Sequence, residues 1–221
     1  MSSIIVMNRK VQKYCRLFAV SISAIALNIS MTSIEAKAEL FNSTLDRLPT
    51  QERVALRQGQ SLVTGSKGKY TGKVLVKATV ATAWQVLTDY NNFYHFFPNV
   101  VSSKVIQNNG AGKVFEQVQV IRAFMLTKKA RVRIAIKETY PKRIAFNLVA
   151  GDLKSLQGTW QIEPVSPYPG ALPNQVLITH QVNADPGAIS TRGLFFSIYK
   201  NSLENTLVAL KTEVEKRSAK K

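Results

Sequence analysis

The sequence predicts an α+β protein in which a curved antiparallel sheet wraps a long C-terminal helix. Three observations lead there. Several runs between residues 70 and 183 alternate apolar and polar side chains with a period of two, as half-buried strands do. One run, 196–214, repeats its apolar residues every three or four positions with no Pro or Gly inside it, as an amphipathic helix does. The order strand, helix, about six strands, long helix then selects a sheet that buries one face against a terminal helix.

Residues 48–60 read as a short helix, with Pro49 near its start and Gly59 near its end. In 70–79, Val74, Val76 and Ala78 alternate with Lys73, Leu75, Lys77 and Thr79, which is a strand. From Ala81 the period changes, and Trp84, Val86, Leu87 and Tyr90 follow helical spacing. Pro98 stops that helix and holds Phe97 extended. Strand 100–107 reaches the turn Asn108-Asn109-Gly110 and returns as 113–124. In 128–140, Val132, Ile134 and Ile136 face away from Arg131, Arg133 and Lys137, and Pro141 ends the strand. The basic side reads as the solvent face of an edge-like hairpin. Further strands are expected at 143–149, 153–163 and 175–183, separated by Gly151-Asp152 and the Pro-rich loop 164–173. Ser190 or Thr191 is positioned to cap the last helix, whose inner stripe is Phe196, Tyr199, Leu203, Leu207, Leu210 and Val214.

The combination Ala83-Trp84, Leu87, Asp89-Tyr90, Phe93, Phe97-Pro98, Val100 and Ser103, followed by alternating strands and the terminal helix, resembles the polyketide cyclase/dehydrase and lipid-transport family of START-like, helix-grip proteins (the SRPBCC group). It is also similar to the coenzyme Q-binding START-like branch. The resemblance covers roughly 72–216. It implies a central cavity for a sterol, phospholipid, quinone or polyketide, and it transfers no catalytic residue, because the matching positions are structural signatures. Trp84, Phe93, Phe97, Val118, Ile134 and Trp160 are expected on the cavity wall. Ile178 and His180 are expected to join them from the last strand, and Phe196, Tyr199 and Leu203 from the helix.

The N-terminus carries separate information. Arg9, Lys10, Lys13 and Arg16 precede the apolar run 17–27, and Ala36-Lys37-Ala38 has the small residues of an A-x-A cleavage site. Residues 1–38 are thus read as a signal peptide cleaved after Ala38, and the protein as exported to a periplasm, lumen or extracellular space. An uncleaved anchor is the competing reading, because 17–34 is uncharged and near the ~18 residues of a membrane span; its several Ser, Thr and Asn residues argue against a span. A transit peptide is a third. Residues 39–69 form an N-terminal extension, 70–217 the binding domain and 218–221 a basic tail. Cys15, the only cysteine, lies in the leader, so the remainder has no thiol chemistry and no disulfide.

The formal charge is +17, and +13 without the five basic and one acidic residues of 1–38. Recognition of single-stranded nucleic acid interleaves basic residues with exposed aromatics on one face. Here the aromatics fall on the apolar phase, so no nucleic-acid partner is assigned. Lys128, Lys129, Arg131, Arg133 and Lys137 form a solvated basic face or, at about 1 kcal/mol per residue, a site of transient contact with anionic lipid. A monomer is expected.

Candidates for chemistry are few. His180 shares the phase of Val176, Ile178 and Val182, which suits either a core histidine or a group that orients a ligand and moves a proton. Glu116 shares a phase with Val114, Val118 and Val120. Inside an apolar cavity its pKa would rise by up to ~3–5 units unless it were paired, and Arg122 is the partner its phase suggests. No metal-ligand cluster is visible, with only His95 and His180 far apart, and no cofactor is expected. Gly65-Ser66-Lys67-Gly68-Lys69 lacks the context of a phosphate loop and reads as a surface turn. Two functions follow: a carrier of a hydrophobic molecule, or a polyketide cyclase/dehydratase using His180 and Glu116.

Overall fold

The computed structural model describes residues 43–110, 112–123, 126–168, 170–188 and 191–220, without the side chains of 122, 123, 126 and 128. The leader 1–38, and the side chains of Arg122 and Lys128, lie outside the described residues. The chain runs through helix α1 (Thr50–Arg57), strands β1 (Leu62–Ser66) and β2 (Lys69–Val76), helix α2 (Val80–Leu87) and a 3-10 helix (Tyr90–His95). It then lays down β3 (Val100–Asn108), β4 (Lys113–Ala123), β5 (Leu126–Thr139), β6 (Arg143–Gly151), β7 (Ser155–Val165) and β8 (Gln175–Asp185), and ends in α3 (Arg192–Ser218).

All eight strands form one sheet in the order β1-β2-β8-β7-β6-β5-β4-β3, and each neighbouring pair is antiparallel. The predicted α+β arrangement, a curved sheet gripping the terminal helix, is the observed one. Only β2 and β8 are distant in sequence, so their pairing is the step that brings the first strand back to the last. The β4–β5 hairpin is interior rather than edge-like, because β6 and β3 flank it.

Local chemistry places the boundaries. The β1–β2 turn uses Lys67 and Gly68, both at positive φ (51° and 91°), the pattern of a tight hairpin turn whose twist matches its strands. β1 falls within 39–69 and pairs with β2 from Leu62↔Lys73 to Ser66↔Lys69. β2 ends at Val76, not Thr79: the Thr79 hydroxyl accepts from the Thr82 N–H at 3.2 Å and caps α2. At the same end of the sheet as Val76, Pro164 belongs to β7, opposite Val176, so the Pro-rich loop starts later than its composition suggests.

The two faces of the sheet bury different cores. Inward, Val74, Val76, Ile144, Ile162, Val176 and Ile178 join Leu203, Leu207, Leu210 and Val214 of α3 in the main cluster. Gly72 permits that approach, since a Cβ there would sit 2.7 Å from Leu207 Cδ1. Outward, Leu75 and Leu177 meet Leu45, Leu56 and Val165 in a smaller cluster under α1. Lys73 Nζ to Glu52 (2.5 Å) and Thr44 Oγ1 to Glu163 (2.5 Å) rim it. Leu75 therefore faces opposite to Val74 and is buried all the same. The C-terminal end of α3 is fixed by Arg217, which pairs with Glu213 at 2.7 Å and Asp89 at 2.9 Å and lies over the Phe96 ring. Among the described residues no helix is long and apolar enough to cross a membrane.

Candidate functional site

Where α2 and the C-terminal half of α3 lie on the sheet, the interior is filled. Under the N-terminal half of α3 it is not, and a cavity of about 390 Å³ remains. Its floor is the inner face of β4–β8: Phe115, Gln117, Gln119 and Ile121 of β4, Ile134 and Ile136 of β5, Ile144 and Phe146 of β6, Leu156 and Trp160 of β7, and His180 of β8. Phe195, Ile198, Tyr199, Ser202 and Leu203 of α3 form the roof, and Leu87, Tyr90, Phe93 and Phe97 close one end. The exposed members of the lining, Asn99, Asn201 and Asn205, mark the mouth. A second depression, of about 510 Å³, lies on the outer face among Thr71, Arg143, Gln157, Thr159 and Gln181. It is the larger of the two, but it is polar and open to solvent. The inner cavity is the one suited to an apolar molecule.

The aromatic end is closely interlocked. Tyr90 stacks on Phe115 (5.1 Å), and Phe93 meets Phe97 and Phe115 edge-on (4.9 and 5.8 Å). The Tyr90 hydroxyl donates to Glu138 Oε1 at 2.9 Å, and Lys113 neutralises that carboxylate at 2.7 Å. Burial, and then the Glu138 charge, push the Tyr90 phenol above its ordinary range, so it stays protonated. The Ser103 hydroxyl donates to the Tyr90 carbonyl and ties the 3-10 helix to β3.

At the deep end, Trp160 and His180 are cross-strand partners with rings 3.7 Å apart, and Phe146 stacks on the other side at 5.5 Å. His180 is 6% exposed, and its Nδ1 is enclosed without a hydrogen-bond partner. Burial pulls its pKa down to about 3, against an upward pull from the Thr159 backbone, so the imidazole is neutral at physiological pH. Tyr199, stacked on Tyr70 at 5.9 Å, is pushed above the ordinary phenol range by burial and then by Tyr70. Among the described lining residues none is charged at neutral pH.

Of the expected wall residues, Phe93, Phe97, Ile134, Trp160, His180, Tyr199 and Leu203 lie on the cavity. Trp84 does not; it is buried beside the cavity, edge-on to Tyr140 at 5.2 Å. Ile178 is fully enclosed in the main core. Phe196 turns away, with Arg192 over its ring and its carbonyl accepting from the Tyr70 hydroxyl at 3.1 Å; Phe195 takes the wall position instead. Val118 and Glu116 are on the outer face, where the register sets Glu116 against Arg133 and Val118 against Arg131. Arg133 Nε donates to Glu116 at 2.8 Å and Arg131 lies at 3.8 Å, and the Arg133 bond leads in holding the carboxyl below its ordinary range. Glu116 is thus an ionised surface residue, its partner is Arg133, and it cannot act with His180 inside the cavity. Among the described residues no three His, Cys, Asp or Glu side chains converge as metal ligands.

Gln117 and Gln119 were not singled out by the sequence. They occupy the inner phase of β4, and the other phase misled because Val114 and Val118 are apolar yet half-buried on the outer face, while Val120 alone of that set is buried and reaches the cavity. The cross-strand charges carried the correct signal, since Glu116 is satisfied only opposite the arginines of β5.

The model for the family described as polyketide cyclase/dehydrase and lipid transport matches residues 76–211. Among solved structures, a protein of Thermus thermophilus is similar at 18% identity and TM-score 0.57, over 67% of this chain and 97% of that one. A START superfamily protein from Mycobacterium smegmatis is similar at 15% identity and TM-score 0.56, over 66% and 97%. Human StAR-related lipid transfer protein 5 is similar at 12% identity and TM-score 0.53, over 76% and 93%. These likenesses are of fold. No curated protein sequence matches the chain.

Proposed function

The chain belongs to the polyketide cyclase/dehydrase and lipid transport family, and on that premise we propose that it binds and carries a hydrophobic small molecule in the cavity beneath α3. The single observation behind this reading is the cavity itself: about 390 Å³ between sheet and helix, floored by Ile134, Ile144, Phe146 and Trp160, with a mouth at Asn99, Asn201 and Asn205. Burying ~300 Å² of ligand apolar surface at ~25 cal/mol/Å² yields about 7 kcal/mol gross. Association costs reduce this to the modest affinity suited to a carrier that must also release.

The cyclase reading is less well supported. The two acid–base candidates are on opposite faces of the sheet, and the imidazole is enclosed between Trp160 and Phe146. The reading also includes a monomer exported by way of the leader 1–38, and transient contact with anionic lipid through Lys129, Arg131, Arg133 and Lys137, all exposed on the outer face of β5. Native mass spectrometry of the protein purified from its own cells, followed by extraction of what co-purifies, tests the central part. A stoichiometric lipid, quinone or pigment is expected; an empty protein that takes up nothing from a total lipid extract contradicts it.

A further inference from the structure

Gln117 is 8% exposed and lies on the cavity wall, its backbone is paired in the sheet, and its side-chain carboxamide makes no hydrogen bond to any described residue. Its neighbours across the sheet account for none of its amide: Val132 is apolar, and the Ser103 hydroxyl is committed to the Tyr90 carbonyl. A buried carboxamide left unpaired costs free energy. An amide in this position is explained if the cavity's occupant supplies the partner. Gln119 follows two residues on along the same inner face, which sets a second amide about 7 Å away toward the mouth, where Asn201, Ser202 and Asn205 line the facing helix. Beyond Gln117 the wall is Ile134, Ile136, Ile144 and Phe146. The cavity is therefore amphipathic, with a stripe of neutral amides and hydroxyls along one side.

Charge narrows the class further. None of the described lining residues is a cation or an anion, and Tyr90, Tyr199 and His180 are all held neutral. A carboxylate or phosphate drawn into this space would lose its water and meet no counter-ion among the described lining residues. We infer that the ligand is an uncharged amphiphile whose carbonyl or hydroxyl oxygen is bound by the Gln117 carboxamide, and that anionic lipids are excluded from the cavity. This rests on the carrier reading and names its ligand class and its specificity-determining residue.

A total lipid extract from the protein's own cells, split by anion exchange into neutral and acidic fractions, is offered to the full chain and occupancy is read by native mass spectrometry. The neutral fraction is expected to fill the wild type and the acidic fraction to leave it empty. Gln117→Met, which keeps the length of the side chain, is expected to lower affinity for the neutral fraction about tenfold, the equivalent of about 1.4 kcal/mol. The melting temperature of the empty variant should be unchanged or higher, because an unpaired buried amide has been removed. Gln117→Asn, which keeps a carboxamide, should recover part of the affinity and serves in place of the first variant if that one fails to fold. Filling by the acidic fraction overturns the inference and leaves the carrier reading intact, as does wild-type affinity in Gln117→Met and Gln117→Asn together. Occupancy by neither fraction overturns the carrier reading, and the inference with it.

Discussion

Trp160 and His180 face one another in register across β7 and β8, their rings 3.7 Å apart and 20° from parallel. His180 is 6% exposed in this stack, and burial disfavours its protonated form, so the imidazole is neutral.

Stability should therefore fall with acid in a defined window. The folded-state pKa of His180, about 3, is below the 6.5 of an unperturbed histidine, so the unfolded chain binds the extra proton. The contribution is fully present above pH 6.5 and is lost as pH falls toward 3, reaching a few kcal/mol in the limit. Melting temperature followed from pH 7.5 to about pH 4.5 should decline in the wild type. In His180→Phe the decline over that range should be much shallower, and equal slopes would remove His180 as its origin.

Gly158 tests the curvature of the sheet. A Cβ at this position would lie 2.0 Å from the Gln181 carbonyl oxygen and 2.6 Å from the Phe146 ring. The first of these is backbone and cannot step aside. Gly158→Ala should destabilise by about 2–3 kcal/mol in a denaturant titration, with loss of ligand uptake as Phe146 is displaced. A wild-type unfolding midpoint would contradict the packing described here.

Glu116→Gln separates the outer face from the cavity. The carboxylate bonds Arg133 at 2.8 Å on the outer face, so ligand uptake should remain at the wild-type level in a lipid-binding assay. Impaired uptake with normal folding would return Glu116 to the list of site residues.

Contact with anionic membranes should run through the outer face of β5. Lys129 and Lys137 are exposed there and lie outside the Glu116 cluster, so charge reversal at both spares that cluster. Lys129→Glu with Lys137→Glu should reduce co-sedimentation with phosphatidylserine vesicles several-fold. Salt at about 1 M, where the Debye length is ~3 Å, should abolish the difference. Equal vesicle binding by the double variant would exclude this face.

The particular residues show what a single sequence can and cannot disclose. The inner stripe of α3 was legible because Leu203, Leu207, Leu210 and Val214 keep one helical period with no competing face. The phase of β8 was legible too, with Val176, Ile178, His180 and Val182 facing inward. β4 was misread because a sheet this broad leaves Val114 and Val118 half-covered on its outer side while Gln117 and Gln119 turn inward toward the cavity. Periodicity reports which face is oilier, and in a ligand-binding strand that is not always the inner one. The division of the inner face into filled core and open cavity was not legible at all. It depends on where α2 and α3 sit on the sheet, which decides that Ile178 and Trp84 are packed while Trp160 remains on the wall.

The central claim is that a hydrophobic molecule enters the space beside Trp160, and the two tryptophans permit a direct test. Trp84→Phe leaves Trp160 as the sole indole, on the cavity wall, and Trp160→Phe leaves Trp84, packed against Tyr140 outside it. Titration with dibrominated octadecanol, a neutral chain carrying a contact quencher, should quench the fluorescence of Trp84→Phe saturably and that of Trp160→Phe little. Equal quenching of both, or no saturable quenching of either, would contradict ligand binding in this cavity.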